Sequence, residues 1–132
     1  MNVSPWKYFD LNELKCKCGQ CGSTGLEMDN TFMKMIVSLR EQLGFEFVVS
    51  SAYRCAKYNL QVAHTGENGP HTTGKAMDIL IYGAQARVLI GGAIQAGFGG
   101  VGINQKGDMG GRFVHLDTLT APDYPRPNVW SY

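Results

Sequence analysis

The sequence lacks any long apolar run. The longest candidate, residues 84–96, is broken by Gln85, Arg87, Gly91, Gly92 and Gln95, so no segment suits a bilayer span. Charge of one sign is missing too, with Lys+Arg 12 against Asp+Glu 11 and a formal net charge of +1. A broad field for nucleic acid or anionic lipid is therefore not expected, and any activity must come from a local site. Met1 to Lys7 carry no basic stretch followed by an apolar one, so the expectation is cytoplasmic synthesis without a signal peptide. Hydrophobic residues make up 44% of the 132. That is enough for one core, and a single domain over residues 1–132, monomeric, is expected.

Cysteine is scarce but clustered. Cys16, Cys18 and Cys21 fall in a C-x-C-x-x-C run, and Cys55 is distant. Soft thiolates suit zinc, so a structural metal held by all four is one reading. Free thiols, or one disulfide to Cys55, are the others, and the spacing alone does not choose among them.

Residues 6–14 read as an entry arm with Trp6, Tyr8, Phe9, Leu11 and Leu14 as apolar anchors. Asp29 or Asn30 is placed to cap a helix in which Phe32, Met35, Ile36, Leu39 and Leu43 recur at three- and four-residue steps, ending at Gly44. Residues 45–51 read as a strand, 54–63 as a short helix, 64–70 as a loop and 75–81 as a second strand. A helix over 84–96, a glycine-rich turn into a strand at 97–103, and a last strand over 112–118 follow. Pro122, Pro125 and Pro127 then stop regular structure. Strands at hairpin-compatible separations with two main helices predict an α+β fold, with a small, mainly antiparallel sheet, flanking helices and a metal cleft on the sheet.

The chain has three histidines. A lone histidine is more often a hydrogen-bonded core or surface residue than a ligand. His71, Asp78 and His115 nevertheless form a coherent set. Two imidazoles and a carboxylate suit zinc, and three protein ligands leave a fourth position open, as in a catalytic site. On the last strand Phe113, His115 and Asp117 share one face, and Val114 and Leu116 share the core face. Asp78 likewise sits between apolar Met77 and Ile79, where a carboxylate is costly unless paired or metal-bound.

Four blocks occur in order: Ser51-Ala52-Tyr53-Arg54, His71-Thr72-Thr73-Gly74-Lys75-Ala76-Met77-Asp78, residues 97–103 as Gly-Phe-Gly-Gly-Val-Gly-Ile, and Phe113-Val114-His115-Leu116-Asp117. Together they resemble the zinc D-alanyl-D-alanine carboxypeptidase family, which includes phage L-alanyl-D-glutamate endolysins and whose wider fold group includes the Hedgehog signalling domain. The resemblance runs from about Phe9 to Trp130. It implies Zn2+ on His71, Asp78 and His115, a peptidoglycan stem peptide as substrate, action at the bacterial cell wall, and a phage or prophage lysis or wall-remodelling role. It also implies that Arg54 faces the substrate, with Ser51 hydrogen-bonded nearby. One departure stands out. Relatives carry Glu or Asp a few residues before the last histidine, where this chain has Met109, Gly110, Gly111 and Arg112. Asp117 is then the preferred candidate as general base or as an orienting group, with Arg54 as a conceivable ion-pair partner for it. Asp108 and His64 are the remaining candidates. The missing carboxylate keeps a non-catalytic zinc-containing wall-binding or virion module in play as the alternative.

Overall fold

The computed structural model describes residues 3–132. In chain order the elements are α1 (Leu11–Leu14), α2 (Asn30–Leu43), β1 (Val48–Ser51), α3 (Ala56–Val62), β2 (Ala76–Leu80), α4 (Gly83–Ala96), β3 (Gly100–Asn104), β4 (Phe113–Asp117) and β5 (Asn128–Ser131), with 3-10 turns at Pro70–Thr73 and Met109–Gly111. The strands form one sheet in the order β1-β2-β4-β3-β5. Its first three pairings are antiparallel, and β5 adds to the outer edge of β3 in parallel. The fold is α+β, as the sequence predicts. No helix among the described residues is long and apolar enough to cross a membrane.

Alternation along the strands divides the sheet into two faces. Met77 and Ile79 of β2, Val114 and Leu116 of β4 and Val101 of β3 are buried on one of them. They join a single core with Phe32, Met33, Ile36 and Leu39 of α2 and Ala86, Leu89 and Ala93 of α4. Helix α2 starts where the Asp29 carboxylate accepts from the Phe32 amide at 2.9 Å, a cap worth about 1 kcal/mol. It ends at Gly44, left-handed with φ 78°. The other face carries Asp78, His115 and Asp117.

Three expectations shift. The strand expected over 45–51 pairs only from Val48, because its partner β2 ends at Leu80, opposite Val48, and leaves Phe45 to Phe47 without a ladder. The entry arm contains a short helix, α1, in which the Asp10 amide donates to the Glu13 carboxylate at 3.1 Å. Regular structure resumes after the prolines as β5, an edge strand starting immediately beyond Pro127. Prolines are compatible with the approach to an edge strand.

Candidate metal centre and substrate cleft

Register brings the first pair of candidates together. Asp78 on β2 and His115 on β4 are directly opposed across the antiparallel ladder. His71 arrives from the 3-10 turn that follows Gly69 and leads into β2. The Asp78 Oδ1 atom lies 2.9 Å from His115 Nδ1 and 3.3 Å from His71 Nε2. All three residues are buried, and a donor atom from each lies within 4.8 Å of the others.

The outward nitrogens decide what the inward ones can do. His71 Nδ1–H donates to the Ala52 carbonyl oxygen at 2.6 Å, and His115 Nε2–H donates to Asp117 Oδ2 at 2.7 Å. Each ring therefore turns a lone pair toward the ionised Asp78 oxygen. Three lone-pair donors converging in a buried place repel one another unless a cation or proton lies among them. The metal-free charge states express that demand. Burial alone would push His115 toward neutrality, but Asp117 and Asp78 outweigh it and raise its pKa above the ordinary value. Burial likewise opposes ionisation of Asp78, yet His71 and His115 hold its carboxyl well below the usual carboxylate range. The donor set fits a divalent ion, whose ligands at about 2.0–2.2 Å would replace these contacts with small adjustments.

Asp117 has a definite place. It is 0% exposed and lies across the His115 ring from Asp78. It accepts from Arg126 Nε at 2.9 Å and Nη2 at 2.7 Å, and from the Leu119 amide at 3.2 Å. Burial would raise its pKa, but His115 and Arg126 together bring it down to about 2. Of the two roles open for Asp117 in the sequence, this geometry suits orientation of His115. A general base must reach substrate, and Asp117 does not line the cavity. Its ion-pair partner is Arg126, not Arg54, a correction that follows from the tail folding back along β3.

Two glycines make room for this arrangement. Gly100 and Gly102 of β3 lie opposite Asp117 and His115 on β4, and Gly102 also lies opposite Trp130 on β5. A Cβ on Gly100 would run into the Asp117 carboxylate, and one on Gly102 would come within 2.6 Å of Trp130 Nε1. The glycine-rich turn into a strand expected over 97–103 is a turn followed by β3 from Gly100, and the strand is bare where the site's side chains lean across it. Gly100→Ala is expected to lower stability by about 1–3 kcal/mol, because a carboxylate pinned on three sides cannot yield. Gly91→Ala on α4, where nothing lies within 4 Å, serves as the control. A thermal midpoint for Gly100→Ala equal to that of wild type would remove this packing argument.

The His71–Asp78–His115 cluster opens into a cavity of ≈ 530 Å³. All three histidines of the chain, His64, His71 and His115, line it. Arg54 reaches in from the segment after β1. Its Nε donates to Ser51 Oγ at 3.0 Å, its Nη1 donates to Asn59 Oδ1 at 3.1 Å, and its Nη2 stands 3.6 Å from Asp78 Oδ2. Ser51 itself does not line the cavity; it props Arg54. Aromatic rings of Tyr124, Trp130 and Tyr132 form part of the wall. The Trp130 ring lies 5.1 Å from the His115 ring, and the Arg126 guanidinium sits 4.8 Å over Trp130.

Sequence reasoning missed Asn59, Arg126 and Trp130. Asn59 is 1% exposed and ties Arg54 to the cavity loop by donating to Thr65 Oγ1 at 2.8 Å and to the Gly66 carbonyl. Its one sequence signal is an asparagine inside a short helix, where it is a poor former. Neither Asp108 nor the Met109 to Arg112 stretch lines the cavity. Met109 and Gly110 border a different depression with Phe45, Val48 and Tyr82, so no carboxylate enters the site from there.

A buried imidazole–carboxylate–imidazole set at the foot of an open cleft is the donor arrangement of a metal-dependent hydrolase, since structural metal sites are closed by four protein ligands. The chain belongs to the peptidase M15 family, whose family model matches residues 7–117, and is thus a metallopeptidase by membership. The match ends at Asp117, so Arg126 and Trp130 fall outside it. No curated protein and no solved structure matches the chain.

Proposed function

We propose that the chain is a zinc-dependent hydrolase of a peptide bond in the peptidoglycan stem, D-alanyl-D-alanine or L-alanyl-D-glutamate, acting at the bacterial cell wall as a phage or prophage endolysin or a wall-remodelling enzyme. The observation that carries this reading is the convergence of three metal-donor lone pairs and one anchored guanidinium on a single open cavity. His71, Asp78 and His115 hold Zn2+, which when bound supplies Lewis acidity and lowers the pKa of water to about 7. Arg54, fixed by Ser51 and Asn59, offers a planar, permanently charged donor pair to a stem-peptide carboxylate or to the developing oxyanion. Asp117 keeps His115 in the tautomer that presents Nδ1. His64, an exposed imidazole on the cavity wall, takes the role of proton carrier, because an imidazole can both accept and donate a proton.

Incubation of the zinc-loaded protein with purified peptidoglycan, followed by mass spectrometry of the muropeptides, tests this. New amino termini or released D-alanine are expected, and His64→Ala should lower turnover by about 10²–10⁴-fold with zinc content retained. Sedimentation with the wall and no new termini would favour the non-catalytic binding module. Unchanged turnover in His64→Ala would remove His64 alone.

A further inference from the structure

A second group of metal-type donors lies outside the cavity. Cys16, Cys18 and Cys21 sit on the loop after α1, and Cys55 stands at the start of α3. A sulfur from each lies within 4.8 Å of the others. Four sulfurs at about 2.3 Å around a tetrahedral ion are about 3.8 Å apart, and Cys18 Sγ and Cys55 Sγ are 3.9 Å apart. A disulfide needs about 2.05 Å, and the four cysteines are free thiols in the described structure.

The backbone around the sulfurs is built to receive negative charge. The Cys55 amide donates to Cys16 Sγ at 3.3 Å, the Gln20 amide to Cys18 Sγ at 3.4 Å, and the Tyr58 amide to Cys55 Sγ at 3.4 Å. Hydrogen bonds to the charged form favour it. Cys18 and Cys21 are each followed by a glycine, Gly19 and Gly22, with φ of 71° and 74°. The left-handed turn at Gly19 leads the Gln20 amide back to Cys18. Lys17 and Lys57 border the same surface hollow as Cys18, Cys21 and Cys55, where they offset the net negative charge of four thiolates around a divalent ion.

We propose that Cys16, Cys18, Cys21 and Cys55 bind a structural zinc ion as a tetrathiolate. Four protein ligands close the coordination sphere, so this ion has no place for substrate or water. Its role is mechanical. Binding clips the N-terminal loop to the segment that supplies both the Ala52 carbonyl behind His71 and the Arg54 guanidinium in the cavity. The same segment is already stitched to its surroundings by Tyr53 N donating to the Leu14 carbonyl and Arg54 N donating to the His71 carbonyl. The cysteine centre thus sets the position of two groups at the other site without touching it.

Cobalt(II) distinguishes the two centres, because only sulfur ligation gives intense sulfur-to-metal charge-transfer absorption in the near ultraviolet. The protein refolded with cobalt under reducing conditions should show that absorption, His115→Ala should show it equally, and the Cys18→Ser/Cys21→Ser double variant should lose it. Zinc per chain should be two in the wild type and fall to one in the double variant. A cobalt-loaded wild type without the absorption would overturn the proposal, whether or not the serine variant folds. So would zinc-replete native protein in which all four thiols react at once with a thiol reagent, or whose mass shows a disulfide. The absorption and thiol results do not bear on the His71–Asp78–His115 centre, whose zinc the His115→Ala variant should lose while it keeps the one at the cysteines.

Discussion

His115→Ala is expected to remove exactly one metal ion per chain, the one at the cleft, and to reduce peptidoglycan hydrolysis to the level of buffer. The substitution deletes one of three donors and leaves the Asp78 carboxylate with His71 at 3.3 Å and Arg54 at 3.6 Å as its remaining polar neighbours. Loss of an outer hydrogen-bond partner alone typically costs 10–100-fold in affinity or activity, so loss of the donor itself should exceed that. Stability should fall as well, by about 1–3 kcal/mol in the metal-free protein, because the buried Asp78 and Asp117 carboxylates each lose a hydrogen-bond partner. Metal analysis after dialysis, with circular dichroism to establish that the chain remains folded, checks both parts. Full retention of zinc in a folded His115→Ala protein would refute its place as a ligand.

Asp117→Asn should separate orientation from ligation. The asparagine oxygen can still accept from His115 Nε2–H, but its amide nitrogen then faces the Arg126 guanidinium, which made two hydrogen bonds to the carboxylate. A donor meets a donor in a fully buried place, and the ring loses the charge that sharpened its basicity. Turnover is expected to fall about 10–100-fold with KM little changed and zinc retained at saturating metal. Arg126→Ala should follow in the same direction, since it frees one side of the same carboxylate. Unaltered kcat in Asp117→Asn would take Asp117 out of the mechanism, and a raised KM with unaltered kcat would move its role to substrate binding.

The parts of this molecule that follow local rules were legible in the sequence. Helix α2 is announced by Asp29, by apolar residues at helical spacing and by Gly44. Strands β2 and β4 are announced by single carboxylates and a histidine interrupting apolar residues with period two. What the sequence does not carry is pairing. That Asp78 opposes His115, and not a neighbour one position away, is a matter of register, and a slip of one residue would have turned His115 into the core. Asp117 could be assigned to the same face as His115, but the side of the ring it occupies depends on Arg126, which reaches it from nine residues further on through a proline-rich turn. Trp130 stayed hidden for the same reason, since β5 pairs in parallel with β3 across an intervening hairpin. That the glycine-rich stretch runs into a strand was legible, but not that Asp117 and Trp130 need the space left by the missing side chains of Gly100 and Gly102. The cysteines show the converse. Their spacing left three readings open, and spatial proximity narrowed them.

Diffraction from zinc-loaded crystals at the zinc absorption edge addresses the central claim most directly. An anomalous peak about 2.0–2.2 Å from His71 Nε2, Asp78 Oδ1 and His115 Nδ1, with His115 Nε2 still on Asp117, is the expected result. Rings that diverge with no peak between them, or an ion held through His115 Nε2, would contradict it.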